Sequence, residues 1–256
     1  KNININCVSP GFIQTKMTDA IQDKSKQTTW KRFDKIAHRY DILNRILSVG
    51  IDQYWRKKMI SFLPKGDALT LLDLATGTGD VMLSLAKNKR CTFSQLIGMD
   101  LSQGMMDIGV QKSRRRKRDD LITFQQGNAT DIPMPDDTVD VVTISFGIRN
   151  VPDVSKTLSE MVRVLKPGGV GMVLEFSMPA HPLLKMLYLF YFRYILPQIG
   201  SLISGDKEAY TYLNKSVEVF PYGNAFCQLM HQEGFQGVIQ KPLTLGIATL
   251  YVGRKS

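Results

Sequence analysis

The chain has 256 residues, which is enough for one domain with a sizeable core and short additional segments. Its hydrophobic content of 43% and charged content of 22% are ordinary for a soluble globular protein, and its net charge of +10 favours anionic partners. The three cysteines lie far apart in the sequence, which argues against a disulfide framework or a Cys/His metal cluster and favours a reducing compartment.

Two segments bear on membranes and nucleic acids. Residues 112–118 carry six Lys and Arg side chains, which we interpret as the solvated end of a helix, with attraction to a membrane surface as the alternative. No aromatic side chains interleave with these cations, so nucleic acid is not an expected partner. Residues 182–197 are the most apolar segment, but Lys185 and Arg193 interrupt it and it is too short to span a bilayer.

Residues 1–26 differ in pattern from the rest of the chain. The segment from Asn4 to Thr18, with Ser9-Pro10-Gly11 at its centre, resembles a late strand and loop of short-chain dehydrogenase/reductases, particularly the β-ketoacyl carrier-protein reductases. The upstream glycine-rich turn and the Tyr-x-x-x-Lys pair of that family are absent from these residues. We interpret them as a truncated or fused remnant that does not join the core, and we assign residues 27–256 to the main domain.

The main domain begins with helical spacing of apolar residues over 27–64 and then alternates between strands and helices. Such alternation predicts an α/β fold with a doubly wound, mostly parallel sheet. The expected elements are strands at 69–75, 95–100, 121–126, 139–146 and 170–176, with helices at 80–88, 102–117 and 153–165. The Lys-Pro-Gly-Gly sequence at 166–169 is a helix stop. A helix at 222–233 and strands at 235–241 and 245–253 complete the chain.

The turn after the first strand predicts a nucleoside site. Gly77 and Gly79 allow a ligand to approach the backbone, and Asp100, which ends the next strand, suits the ribose hydroxyls. A dinucleotide site requires a third glycine, where this chain has Met82. Asp80 at the helix start would also repel a pyrophosphate. A cationic, phosphate-free nucleoside such as S-adenosylmethionine therefore fits better than NAD.

Two later segments place polar groups at the same edge of the sheet. Asn128 and Ala129 follow the third strand, where an amide and backbone groups can bind the adenine edge, although a simple polar turn is the alternative. The fourth strand ends in Thr143-Ile-Ser-Phe-Gly-Ile-Arg-Asn150. Ligands of open α/β sheets bind at this carboxyl edge.

From about Phe33 onward the chain resembles the UbiE/MenG family, the C-methyltransferases of ubiquinone and menaquinone biosynthesis. The most specific motifs are Phe-Gly-Ile-Arg-Asn at 146–150 and Gly-Asp-Lys-Glu-Ala-Tyr at 205–210; more general ones lie at 72–80 and 163–169. The resemblance implies the seven-stranded fold of class I S-adenosylmethionine-dependent methyltransferases, with N-terminal helices (27–64), a donor-binding core (65–180), an aromatic acceptor or lid segment (181–215) and a C-terminal part (216–256).

The resemblance also implies the contacts to the methyl donor. They are Thr78, Asp100, Asn128, Ala129 and Ser145, joined by Gly77, Gly79 and Asp80 of the turn. Asp100 has a structural alternative as a cap of the following helix, and Ser145 has one as a strand-end hydroxyl. S-adenosylmethionine is the expected cosubstrate, and no metal is expected.

Methylation of a ring carbon requires an electron-rich ring, which a hydroquinone supplies when a phenol loses its proton. Arg149 and Asn150 are the candidates to stabilise the phenolate, and Arg149 is also a candidate to activate a water that takes the proton. Tyr40 is the candidate to orient the ring. A structural ion pair is the alternative for Arg149, and a core position is the alternative for Tyr40. His38 is expected on a helix surface rather than as a base.

The aromatic segment at 182–200 is either a buried helix over the sheet or a lid that receives a prenyl chain and touches the bilayer. A prenylated quinol acceptor implies a cytoplasmic protein in transient contact with the inner face of a membrane, or the equivalent location in an organelle. Demethylmenaquinol is the first choice of acceptor, with a benzoquinol open. The alternatives are a non-catalytic donor- or lipid-binding subunit of a quinone-biosynthesis assembly and an NAD-dependent oxidoreductase. A homodimer also remains open.

Overall fold

A computed structural model describes residues 34, 37–38, 41, 45, 48, 50–198 and 216–256. Its strands are β1 (Leu69–Leu74), β2 (Phe93–Asp100), β3 (Ile122–Gln126), β4 (Val139–Ser145), β5 (Leu165–Phe176), β6 (Gln236–Leu243) and β7 (Ala248–Arg254). Its α-helices are α1 (Ile51–Met59), α2 (Asp80–Leu85), α3 (Gln103–Arg115), α4 (Val154–Val164), α5 (Pro182–Phe190) and α6 (Asn224–Gln232). A π-helical segment, Tyr191–Ile195, continues α5. The predicted remnant at 1–26 lies outside the described residues.

The strands form one seven-stranded sheet in the order β3-β2-β1-β4-β5-β7-β6. Neighbouring strands from β3 to β5 are parallel, whereas β7 is antiparallel to both β5 and β6. The predicted doubly wound, mostly parallel sheet is therefore confirmed. Its switch point lies between β1 and β4, where an open α/β sheet binds its ligands at the carboxyl ends of the strands.

The central strands are apolar throughout because both faces of the sheet are covered. Alternate residues of a strand point to opposite faces, so Leu72 and Val142 join the core beneath α4 and α6. Leu71 and Val141, one residue earlier in each strand, join the core beneath α1 and α2. Packing on both faces holds the strands in place, and with them the strand ends that carry the candidate site.

Side-chain caps set the starts of two helices. Ser102 caps α3 by accepting a hydrogen bond from the Met105 N–H at 3.3 Å, and Asp153 caps α4 by accepting one from the Lys156 N–H at 2.9 Å. The helix stop at 166–169 is confirmed in part: α4 ends at Val164, but β5 begins at Leu165, five residues before the predicted start. Gly168, with φ of 76°, lies inside this strand.

Two strained turns meet at the switch point. Ala75 after β1 and Phe146 after β4 both adopt positive φ, at 48° and 57°, which is costly for residues with a side chain and is concentrated at functional sites. A Cβ atom added to Gly147 would lie 2.5 Å from the Cβ of Ala75. Glycine at this position therefore lets the two turns touch.

Within the described segments, no helix combines the length and apolar character that crossing a bilayer requires.

Candidate functional site

The glycine turn lies between the carboxyl ends of β1 and β2. Gly77 and Gly79 both have positive φ, at 55° and 74°, a conformation that favours glycine. The Gly77 N–H donates to Asp100 Oδ2 at 2.8 Å. The turn and the acidic residue at the end of the second strand, which the sequence places 23 positions apart, thus form one unit.

Asp100 also holds the start of the next helix. Its Oδ1 accepts a hydrogen bond from the Ser102 N–H at 2.9 Å, and Asp34 accepts one from the Ser102 hydroxyl at 2.6 Å. Burial raises the pKa of Asp100, the backbone N–H donors oppose that rise, and the Asp34 charge adds to it. A carboxylate has about four acceptor positions, so Asp100 keeps capacity for a ligand beyond these backbone contacts.

Thr78, Asp80 and Lys112 form a network over the turn. Lys112 Nζ donates to Asp80 Oδ1 and, at 2.9 Å, to the Thr78 hydroxyl. Asp41 accepts from both the Thr78 hydroxyl, at 2.6 Å, and Lys112 Nζ, at 2.8 Å. Arg56 lies 3.5 Å from the other Asp80 oxygen. The cations hold the pKa of Asp80 below its usual value against the effect of burial.

This network corrects one prediction and changes the weight of another. Lys112 is not part of a solvated helix end, because its side chain is only 14% exposed; residues 114–118 are exposed as expected. Asp80 does not present an isolated negative charge to a ligand, since two cations already face it. The selection against a pyrophosphate therefore rests mainly on the missing third glycine.

The predicted adenine segment follows β3 at the same edge. The Gly127 N–H donates to the Asp100 backbone carbonyl at 3.1 Å, which joins this segment to β2. Asn128 Oδ1 accepts a hydrogen bond from the Thr130 N–H at 3.0 Å, and Ala129 is buried. The segment is thus a closed polar turn beside Asp100.

Ser145 and Arg149 follow β4 on the other side of the turn. The Ser145 hydroxyl contacts the Met59 sulfur of α1 at 3.7 Å. Residues Ile148–Asn150 form one 3-10 turn, in which Arg149 is buried and Asn150 is half-buried. The structure thus brings together the described donor candidates and two of the three catalytic candidates at one sheet edge. Tyr40 lies outside the described residues, and His38 is exposed, as expected.

Arg149 forms a buried ion pair, which is the structural alternative considered for it from the sequence, with a partner that the sequence did not reveal. Its Nη1 donates to Glu175 Oε1 at 2.6 Å and to the Phe146 carbonyl at 2.7 Å. Glu175, at the end of β5, is 1% exposed. The Arg149 Nε is buried and has no hydrogen-bond partner among the described residues. The guanidinium is therefore anchored through one nitrogen while another donor remains unused.

An aromatic cluster lies beside this ion pair; its members are Trp55, Phe146, Phe176, Tyr188 and Phe192. Phe176 is central, with ring centroids 4.7 Å from Phe146, 6.1 Å from Trp55 and 6.2 Å from Phe192. The Arg149 guanidinium lies 5.3 Å from the Phe176 centroid. The arrangement suits a flat aromatic ligand with polar substituents.

Asp73 is a residue of this site that the sequence reasoning missed. It lies within β1, is 1% exposed, and accepts hydrogen bonds from the hydroxyls of Thr76, at 2.7 Å, and Thr143, at 2.6 Å. Burial raises its pKa to about 6. The sequence did offer a signal for Asp73, which is an acidic residue inside an otherwise apolar strand. Such a residue is rarely buried without hydrogen-bond partners, so its position indicates a polar site.

Asp73 predicts a pH dependence of stability. Its pKa of about 6, against 3.8 for the free side chain, means that the folded state binds the proton more tightly. The Asp73 contribution to stability is therefore greatest below about pH 4 and falls as pH rises through 6, by at most about 3 kcal/mol. Urea unfolding of the wild type and Asp73→Asn at pH 5 and pH 7.5 checks this, and parallel changes in the two proteins would contradict it.

No cluster of His, Cys, Asp or Glu in the described part of the chain has the arrangement of a metal site.

Comparison with known proteins assigns the family. The sequence model of the ubiE/COQ5 methyltransferase family matches residues 20–255. A ubiquinone/menaquinone biosynthesis C-methyltransferase UbiE of Geobacter sulfurreducens is 46% identical over 223 residues, covering 87% of this chain and 86% of that protein. A demethylmenaquinone methyltransferase of Bacteroides fragilis is 38% identical over 232 residues, covering 91% and 94%.

The solved structures agree on the fold. An S-adenosylmethionine-dependent methyltransferase of Thermotoga maritima superposes on this chain with a TM-score of 0.61 at 20% identity, covering 89% of this chain and 100% of that one. The class I methyltransferase fold is thus confirmed. The reductase-like assignment of residues 1–26 receives no support from these comparisons, and the family match begins inside that segment. The order of strands, the site at their carboxyl ends and the match over most of the sequence lead to one assignment: the chain belongs to the ubiE/COQ5 methyltransferase family.

Proposed function

We propose that the protein transfers a methyl group from S-adenosylmethionine to a ring carbon of a prenylated quinol in menaquinone or ubiquinone biosynthesis, with demethylmenaquinol as the preferred acceptor. The observation that carries the proposal is that a donor-binding surface and an aromatic surface meet at the carboxyl end of β4. Asp100 and the glycine turn lie on one side of the β4 end, and the aromatic cluster with buried Arg149 lies on the other. The names of the relatives supply the class of acceptor.

The residues at the turn fit the donor. Asp100 has acceptor capacity for the ribose hydroxyls, and Asn128 and Ala129 lie beside it for the adenine. Gly77 and Gly79 adopt positive φ without strain, and this turn presents its backbone to the methionyl part of the donor. Thr78 and Asp80 support the turn through Lys112, and we assign Ser145 to the boundary between donor and acceptor.

Bound S-adenosylmethionine supplies an electrophilic methyl group, which a nucleophilic ring carbon accepts while the carbon–sulfur bond breaks and its electron pair stays on sulfur. The chain's part is to make the ring nucleophilic and exclude water. Arg149 stabilises the phenolate by charge and Asn150 by hydrogen bonding, which favours loss of the phenol proton to water, and Tyr40 orients the ring. The methylated carbon then loses its proton and the ring oxygen regains one, so one proton is released to solvent overall.

The outer face of α5 suits a membrane surface. Five apolar side chains, each at least 54% exposed, lie along it and its π-helical extension: Leu183, Met186, Leu187, Phe190 and Tyr194. Lys185 flanks this face, as does Arg193, which pairs with Glu218, and the chain carries a net charge of +10. Such a face inserts into the boundary between headgroups and acyl chains, with cations favouring anionic lipid. We propose that this contact delivers the prenylated acceptor at the inner face of a membrane.

Charge introduced on this face is expected to weaken binding to lipid. Leu187→Glu with Phe190→Glu should lower binding to phosphatidylglycerol-containing vesicles at least about 100-fold, since two inserted side chains that each contribute about 1.5 kcal/mol or more are lost. Co-sedimentation with vesicles is the measurement. Ile239→Glu, which changes a side chain of similar exposure on β6, is the control and should bind like the wild type. Equal binding by all three proteins would refute the contact.

A competition assay tests the acceptor. The purified protein receives demethylmenaquinol and the prenylated benzoquinol precursor together, and mass spectrometry follows the products. Methylation of the naphthoquinol first is the expected result. Donor binding without methylation of either acceptor, with activity restored by a partner protein, would favour a non-catalytic subunit instead. Saturable NAD binding without S-adenosylmethionine binding would favour an oxidoreductase.

A further inference from the structure

Helix α5 carries a buried hydroxyl, that of Tyr188, which has no hydrogen-bond partner among the described residues. Tyr188 is 7% exposed. Its ring belongs to the aromatic cluster, 4.9 Å from Phe192 between centroids. A buried hydroxyl without a partner costs free energy, and phenylalanine would fill the same volume without that cost. The retained hydroxyl therefore needs an explanation outside the folded chain's own hydrogen bonds.

The Arg149 Nε is another unpartnered donor, on a residue beside the same cluster. A series of contacts connects the two residues: Tyr188 contacts Phe192, Phe192 contacts Phe176, and the Phe176 ring lies 5.3 Å from the Arg149 guanidinium. Among the described residues only four buried side-chain nitrogen or oxygen atoms lack a partner, and two of them are on these residues. Two unpartnered donors on residues in contact with one aromatic cluster match a flat ring that carries oxygen acceptors.

We propose that the Tyr188 hydroxyl donates a hydrogen bond to a ring oxygen of the quinol and positions the ring together with Arg149. This inference rests on the proposed function and adds a residue of the acceptor site to it. Burial raises the pKa of Tyr188 above its usual range, so the hydroxyl stays protonated and remains a donor at neutral pH.

The assignment gives α5 and its π-helical extension two functions on opposite faces. Tyr188 and Phe192 point inward to the aromatic cluster, whereas Leu187 and Phe190 are exposed on the outside. A quinol whose prenyl tail stays in the lipid would therefore meet its ring-binding hydroxyl on the same helix that touches the membrane.

Tyr188→Phe tests the inference through ligand binding and stability. The probe is 1,4-dihydroxynaphthalene, kept reduced without oxygen, titrated by calorimetry into the donor-free protein. We expect the variant to bind this probe about tenfold more weakly, as for loss of one hydrogen bond to a buried ligand. Its melting temperature without ligand should be unchanged or higher, because a buried hydroxyl without a partner is removed. The KM for the acceptor should rise while the affinity for S-adenosylmethionine stays the same.

Tyr251→Phe is the matched control, because Tyr251 is also a buried tyrosine but its hydroxyl accepts a hydrogen bond from the Gly223 N–H at 2.7 Å. This variant should melt at a lower temperature and bind the probe normally. Probe binding by Tyr188→Phe equal to that of the wild type would overturn the inference, as would a fall in melting temperature as large as that of Tyr251→Phe. Absence of probe binding by the wild type would overturn the acceptor class proposed above and this inference with it.

Discussion

Replacement of Asp100 by alanine is expected to raise the dissociation constant for S-adenosylmethionine at least about 100-fold. Two hydrogen bonds from ribose hydroxyls to a carboxylate together contribute about 3 kcal/mol or more, which corresponds to that factor. The substitution also removes the acceptor of the Gly77 N–H, so the glycine turn loses its attachment to β2. Both effects reduce binding of the same ligand, and calorimetry with the purified protein measures the sum.

Asp140→Asn is the control for this substitution. Asp140 also accepts a backbone N–H, that of Thr70 at 2.8 Å, and pairs with Lys166, but it lies at the amino end of β4, away from the site. The control should bind the donor as the wild type does. An Asp100→Ala protein that retains the wild-type affinity within about threefold would show that Asp100 only holds the start of α3 by accepting the Ser102 N–H.

Replacement of Arg149 is expected to have the largest effect on turnover. In Arg149→Lys, kcat should fall about 100-fold while the affinity for S-adenosylmethionine stays unchanged, because lysine keeps a positive charge near Glu175 but loses the planar guanidinium and its free Nε. Initial rates at saturating donor and acceptor, combined with donor titrations, separate the two quantities.

Arg149→Ala is a less informative change, because it would also destabilise the folded protein. Removing the guanidinium would leave the Glu175 carboxylate buried without its cation, which typically costs about 3–5 kcal/mol of stability. Loss of activity in that variant would therefore mix catalysis with unfolding. A wild-type kcat in Arg149→Lys would assign Arg149 to the ion pair alone, and an equal loss of donor affinity would place it in the donor site.

The sequence predicts the sheet and the edge that carries the site because both follow from local pattern. Apolar runs that end in Asp100 or in Ser145 mark buried parallel strands, and parallel strands bring their carboxyl ends together. The partners across that edge are not visible in the same way. Glu175 lies 26 positions from Arg149, and only the adjacency of β4 and β5 brings the two together.

Residues whose role differs from that of their neighbours are also hard to predict. Lys112 belongs to a basic run by sequence, but its position on α3 turns it toward Asp80, while residues 114–118 face solvent. Tyr188 is one of several aromatic residues in its segment, and only its burial on the inner face of α5 separates it from Tyr194 on the outer face. Helix phase relative to the sheet, which a single sequence does not specify, decides both cases.

The most direct test of the account is to follow a labelled methyl group. The purified protein alone receives S-adenosylmethionine with a deuterium-labelled methyl and demethylmenaquinol, and mass spectrometry with NMR locates the label in the product. The account predicts the label on a ring carbon of menaquinol, with S-adenosylhomocysteine formed in equal amount. A label on a ring oxygen, or no label in the quinol despite saturable donor binding, would contradict it.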